Sequence, residues 1–265
     1  MPAEPRPSVL IVGGYATVPP NYWPLRDRLR RRGVARVDIA PLWTPDWLLA
    51  AMLGFGPILR RTGRAIGRTY VAGGRRPIMV IGHSAGGIAA RLAMADVPFN
   101  GRLAGVAEAV GCLVTLGTPH GLPRMANRFQ HAGHQATAFL DRATPGAYFA
   151  PRTAYLSVGS RGGPSFAGAG GRVANEFFSI AVGDETADLG DGIVPLSAAH
   201  LAGAEQLTLD GVRHGMLGAP WYGDDEIIDR WWPVAHRLWR AALDARRPSI
   251  AGQPDPSATE LPVMA

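Results

Sequence analysis

The chain has 265 residues, 47% hydrophobic and 18% charged, which is long enough for one large α/β domain with a sizeable core. A single cysteine, Cys112, excludes an intramolecular disulfide, and no run of about 18 uninterrupted apolar residues marks a membrane span. The net charge of +6 and pI near 10.2 raise the question of nucleic acid, but every basic residue is arginine, a pattern that reads as compositional bias. Arg28, Arg30, Arg31, Arg60, Arg64 and Arg68 are scattered through predicted helices with no recognisable nucleic-acid module, so no such partner is expected.

The first seven residues read as a flexible lead without the charged-then-apolar build of a signal peptide, and a soluble cytoplasmic protein is the expectation. Ser8 to Val12 is a buried strand ending at Gly13-Gly14-Tyr15. Asn21 is expected to cap a helix with Pro24 in its first turn and Gly33 at its stop. Val34 to Leu42 reads as a second strand. Trp43 to Phe55 is apolar and aromatic, and fits either a loop lining a pocket or a core helix. Ile58 to Val71 reads as a basic helix.

Ile78 to Ile81 is a continuous apolar run with β-branched residues, as in a strand covered on both faces. Gly82-His83-Ser84-Ala85-Gly86 follows and fits G-x-S-x-G, in which a serine stands on a sharp strand-to-helix turn. The glycines are needed because strand and helix must approach closely on either side of a strained residue. The serine oxygen then stands above the sheet, and Ala85, at the start of the next helix, offers a free N–H to a developing oxyanion.

Ala85 to Met94 is a helix of small residues, and Ala109 to Leu116 a strand ending in Gly117-Thr118-Pro119-His120-Gly121. About 121–150 carries no strand pattern and reads as a small lid or cap. Ala154 to Gly159 is the next strand. A glycine-rich loop (161–171) and an apolar run (177–182) follow it. Gly190-Asp191-Gly192 is a tight turn presenting one carboxylate. Gln206 to Leu209 is the last strand, followed directly by Gly211 to Gly215 with His214. Asp224 to Leu243 is a closing amphipathic helix, with Ile227, Trp231, Val234, Leu238 and Ala242 on one face, which Pro233 is expected to kink or split. Residues 247–265 read as a disordered tail, leaving 8–246 as a single domain.

Strands alternating with helices imply a parallel sheet with helices on both faces and a site at the strands' carboxyl ends. Ser84, Asp191 and His214 fall there, in the order Ser, acid, His. Of the histidines after the acid, His236 is mid-helix and His200 precedes the last strand, which leaves His214. Asp191 is preferred as the acid because its flanking glycines aim one side chain, with Asp184, Glu185 and Asp188 as alternatives. His120 could line the site from the end of its strand or serve as a buried hydrogen-bonding residue.

Together these motifs resemble a lipase-like serine hydrolase of the α/β-hydrolase superfamily. They are most similar to a bacterial and chloroplast group carrying a strand-GGY start, GHSAGG, LGTPH, GDGIVP and a terminal histidine loop. The resemblance runs over about residues 8–245. Because the chain starts at what would be the third strand of larger members, the resemblance implies a minimal, mostly parallel sheet of about six strands. It also implies an oxyanion hole from the N–H groups of Tyr15 and Ala85, and a substrate space lined by Gly14, His83 and His120. The implied reaction is hydrolysis of a small-molecule, apolar acyl ester without metal or organic cofactor. A thioesterase, acyltransferase or cyclase would use the same acyl-serine, and a non-catalytic binding protein could share the scaffold. Epoxide hydrolase and dehalogenase relatives carry aspartate where Ser84 stands.

Overall fold

The computed structural model describes residues 6–15, 17–121, 128–162, 190–216 and 220–247. Six strands form one sheet: β1 (Ser8–Val12), β2 (Arg36–Ile39), β3 (Ile78–His83), β4 (Val110–Leu116), β5 (Ala154–Arg161) and β6 (Glu205–Asp210), in the order β2-β1-β3-β4-β5-β6. All the pairings are parallel. The central strands β3 and β4 are buried at every residue, which is why they read as unbroken apolar runs. The edge strand β2 is shorter than expected from 34–42, since its solvent side needs no such run.

Two apolar clusters sandwich the sheet. On one face, α1 (Trp23–Arg31) and α7 (Asp225–Asp244) place Leu25, Leu29, Ile228, Trp231 and Trp239 against Val9, Ile11, Met79 and Ile81. On the other, α2 (Thr44–Leu53), α3 (Gly56–Ala72), α4 (Ala85–Met94) and α5 (Arg128–Ala143) cover Leu10, Val12, Ile78 and Val80. A one-turn helix, α6 (Leu196–Ala199), precedes β6. No helix among the described residues is long and apolar enough to cross a membrane.

Several expectations need correction. Asn21 does not cap α1. It lies in a short 3-10 turn, Pro19–Tyr22, where its Oδ1 accepts from Val18 N at 2.8 Å. Trp43 to Phe55 is neither a plain loop nor a fully buried helix: α2 buries Trp47 and Ala50 and exposes Leu48, Leu49, Met52 and Leu53. Pro233 does not split α7. It faces solvent, while Trp231, Ala235 and Trp239 anchor the helix on the sheet to either side of it. The buried face of α7 therefore carries Ala235 and Trp239, with Val234 and Leu238 only partly covered. Within the expected 121–150 insertion, α5 packs against α2 and α4 with Ala136 and Leu140 fully buried, and residues 122–127 lie outside the described residues. The apolar run 177–182, Asp184, Glu185, Asp188 and the tail from 248 lie outside the described residues.

From β1 the chain goes outward to β2 and then crosses back to β3, so the strand order reverses between β1 and β3. Clefts at such reversals are where open parallel sheets bind ligands. Here Gly14 and Ser84 meet across that cleft, a Cβ built on Gly14 falling 2.6 Å from the Ser84 Cβ. Below, α4 presses on β1 so closely that a Cβ on Gly86 would overlap the carbonyl oxygen of Val12. The atoms it would meet, on Val12 and Gly13, belong to backbone that cannot step aside. Gly86→Ala should therefore lower stability by about 3 kcal/mol, read as a fall of about 10 °C in Tm by thermal melting. An unchanged melt would show that helix and strand do not approach in this way.

Candidate active site

Ser84 occupies the turn between β3 and α4 with φ 54° and ψ −131°, a conformation that side chains rarely adopt. Three hydrogen bonds fix it: Ser84 N donates to Leu116 O (3.0 Å), and Gly87 N and Thr118 Oγ1 donate to Ser84 O (3.1 and 2.9 Å). Its Oγ lies 2.8 Å from His214 Nε2, and His214 Nδ1 lies 2.8 Å from Asp191 Oδ2. The structure thus brings the three candidate side chains together. A carboxylate can only accept, so Nδ1 carries the imidazole proton, Nε2 is the acceptor, and the Ser84 hydroxyl donates to it.

Asp191 is held from several directions. The N–H groups of Ile193 and Val194 donate to Oδ1 (3.1 and 2.8 Å), and the Tyr222 hydroxyl joins His214 on Oδ2 (2.9 Å). Its backbone oxygen accepts from His214 N at 2.9 Å, which ties the acid loop to the histidine loop. Burial works to raise the Asp191 pKa. Electrostatic attraction to His214 and the bonds from His214, Val194 and Tyr222 outweigh it, and the carboxyl ends below its ordinary value. Gly117, at φ +54°, makes room for this pair, since a Cβ there would meet Asp191 Oδ2 at 2.5 Å.

Tyr222 was not singled out by the sequence. Burial and the adjacent Asp191 carboxylate push its pKa well above the ordinary value, so it remains a donor. The Trp231 indole N–H holds its carbonyl at 2.9 Å. Nothing in the spacing of Trp221-Tyr222-Gly223 marks the role, which depends on a contact 31 residues back in the chain.

The residues expected to line the substrate space divide. Gly14 lies against Ser84, but its N–H donates to the Tyr22 hydroxyl at 2.8 Å. Tyr15 sets its ring edge-on against Trp47, the centroids 5.8 Å apart. Ala85 opens α4, among the N–H groups that a helix leaves without internal partners. His83 and His120 do not line an open space. His83 is buried, with Nε2 2.9 Å from His214 O and Nδ1 2.8 Å from the Tyr22 hydroxyl. Because a carbonyl can only accept, Nε2 carries the proton and Tyr22 donates to Nδ1. A directed line of hydrogen bonds therefore runs from Gly14 N–H through Tyr22 and His83 to the backbone of His214.

His120 is buried between Thr115 Oγ1 (3.1 Å) and the Arg91 guanidinium (3.4 Å), and its own N–H donates to Ala198 O (2.8 Å). This is the structural alternative of the two that its position left open. Arg91, itself buried, also donates to Thr144 O at 3.0 Å. His200 bonds to Thr208 instead. Among the described residues, no group of three or more His, Cys, Asp or Glu side chains is placed to hold a metal ion.

Comparison with known proteins agrees with this architecture. Residues 61–143, which include Ser84 and His120, match the family model described as a PGAP1-like alpha/beta domain. The mature form of the Bacillus licheniformis lipase BlEst2 superposes with a TM-score of 0.63 at 16% identity, covering 89% of this chain and 94% of that one. Its propeptide form gives a TM-score of 0.61 at 17% identity, with 89% and 51% covered. A gene product of Listeria innocua, lin2722, gives 0.50 at 13% identity, with 86% and 93% covered. A search of curated proteins finds no match. These likenesses establish the α/β-hydrolase fold; the reaction has to be argued from the site.

The buried histidines make stability depend on acidity. Burial, and then the neighbouring His214, lower the His83 pKa from 6.5 to about 3. Burial, and then Arg91 and His200, hold His120 well below its ordinary value. Between 6.5 and about 3, the unfolded chain takes up a proton at His83 that the folded chain refuses. Stability is thus full above that window and falls with pH through it, by up to about 1.4 kcal/mol per unit for each such histidine. His83→Gln, which can still accept from Tyr22 and donate to His214 O, should show a shallower loss of denaturation midpoint from about pH 7 to about pH 5. Equal slopes for variant and parent would refute the buried, neutral assignment.

Proposed function

We propose that this protein is a serine hydrolase that cleaves small, apolar carboxylic esters through an acyl-serine intermediate, working in the cytoplasm. The observation that carries the reading is the unbroken hydrogen-bonded line Asp191–His214–Ser84, with both links at 2.8 Å. Its chain order and its place at the sheet's reversal point support the same reading.

In this mechanism His214 Nε2 takes the Ser84 proton as Oγ attacks the acyl carbonyl carbon. The charge that forms on the imidazole faces Asp191, which is ionised for the reasons given above, while Tyr222 keeps that carboxylate in place. The carbonyl oxygen becomes an oxyanion, and the N–H groups of Ala85 and Tyr15 are its donors. His214 then gives the proton to the leaving alkoxide oxygen as the C–O bond breaks. Water, deprotonated by the same histidine, attacks the acyl-Ser84 ester and releases the acid with Ser84 restored. No step needs a cofactor.

Intact-mass measurement after exposure to a fluorophosphonate should show a single adduct on the native chain and none on Ser84→Ala. Turnover of a chromogenic short-chain ester should fall about ten-thousandfold in Asp191→Asn, as expected when a triad acid can no longer fix its histidine. An adduct retained by Ser84→Ala would defeat the assignment of the nucleophile. Full activity in Asp191→Asn would defeat that of the acid and return attention to Asp184, Glu185 and Asp188.

A further inference from the structure

Several arginines are ion-paired. Arg28 binds Asp224 at 2.9 Å and Arg32 binds Asp225 at 2.7 Å, tying α1 to α7. Arg36, Arg152, Arg161 and Arg237 each have a carboxylate within 3.2 Å. On α3 the pattern changes. Arg60, Arg64 and Arg68 recur every four residues along its exposed face, and none has an ion-pair partner among the described residues. Arg75 and Arg76, in the turn after α3, are also exposed. These residues are not scattered, as the sequence suggested, but form a cationic stripe.

The neighbouring helix α2 carries an exposed apolar face. Trp43, Leu48, Leu49, Met52 and Leu53 are all exposed, Met52 by 72% and Leu53 by 62%. The inner side of the same helix is packed, with Trp47 and Ala50 buried. The Arg61–Asp46 ion pair (2.9 Å) joins the second turn of α3, next to Arg60 and Arg64, to the first turn of α2, which leads into Leu48 and Leu49. A surface of large aliphatic side chains bordered by uncompensated arginines needs a partner that is both apolar and anionic.

We propose that the α2–α3 hairpin is a docking surface for an anionic lipid surface. Trp43, Leu48, Leu49, Met52 and Leu53 enter the boundary between headgroups and acyl chains, and Arg60, Arg64 and Arg68 lie on the headgroup phosphates. Nucleic acid would satisfy the arginines and leave the aliphatic face in water, whereas an uncharged apolar partner would leave the arginines without counter-charge. Shallow insertion of an apolar face beside basic residues is how peripheral helices hold to membranes, and each basic residue near the surface adds about fivefold in affinity. The surface does not require Ser84 to react.

The test is flotation of the full chain with vesicles of phosphatidylcholine alone and of an equal mixture with phosphatidylglycerol. The parent and Ser84→Ala should float equally, with the anionic vesicles only, and strong salt should weaken the attachment. Arg64→Glu/Arg68→Glu and Met52→Glu/Leu53→Glu should each lower the bound fraction about tenfold or more. Brominated acyl chains should quench the parent's tryptophan emission and quench that of Trp43→Phe less. This readout decides the matter should a glutamate variant fail to fold. Absence of flotation, or flotation unaffected by either pair of substitutions, overturns the proposal. So does a duplex DNA complex lost with the arginines and kept by Met52→Glu/Leu53→Glu, which makes the stripe a nucleic-acid surface. A parent dimer that Met52→Glu/Leu53→Glu converts to a monomer overturns it too, making the face an interface between copies of this chain.

Discussion

The backbone of Ser84, held at φ 54° and ψ −131°, is the constraint around which the upper half of the molecule is arranged. A non-glycine residue in such a conformation costs about 1–3 kcal/mol and persists only where its surroundings over-determine it. Here they do. The carbonyl of Leu116 on β4 takes the Ser84 N–H, and Thr118 in the loop after β4 grips its carbonyl. Gly86 allows α4 to lie against the end of β1, and Gly87 leaves room for the Thr118 side chain. Strain at one residue is thus balanced by packing from two neighbouring strands and a helix, and the same packing aims Oγ at His214.

A second layer of order lies beneath the reacting groups. The line Gly14–Tyr22–His83–His214 has its proton directions set from one end, because the His214 carbonyl can only accept. It connects the loop after β1 with the loop after β6, two segments separated in the sheet by three strands. Burial keeps His83 neutral, so the line does not reverse when His214 gains a proton. The loop proposed to supply an oxyanion donor and the loop carrying the base are therefore held in one frame, with acid sensitivity as its cost.

What the sequence makes legible follows from how local each cause is. Buried parallel strands have to be apolar on both faces, so β1, β3 and β4 stand out as runs, and the elbow stands out because only glycine permits its close approaches. The grouping of Ser84, Asp191 and His214 follows from chain order and strand ends. Tyr222 and Tyr22 are not legible: each owes its place to one tertiary hydrogen bond with a partner far away in the chain. His83, which the family resemblance placed in the substrate space, is buried with its ring bonded to Tyr22 and the His214 carbonyl. Asn21 and Pro233 carry the right local chemistry, but an intervening 3-10 turn and a well-anchored helix face decide differently. The arginines look random in one dimension, and only pairing in three dimensions separates those that hold α1 to α7 from those left unpaired on α3.

The helix that resists a one-sided reading, α2, has two occupied surfaces. Its inner face puts Trp47 against Tyr15, one residue from the Gly14 backbone that touches Ser84. Its outer face is the exposed aliphatic patch. Sequence periodicity could not choose between a core helix and a pocket wall because neither describes a helix that is apolar all round while lying at the surface. Such a helix is stable in water only if one side is buried, and Trp47 and Ala50 supply that burial here. The remaining leucines and Met52 add nothing to the core. One helix thickness therefore separates the exposed face from the Tyr15 ring that Trp47 meets beside Gly14.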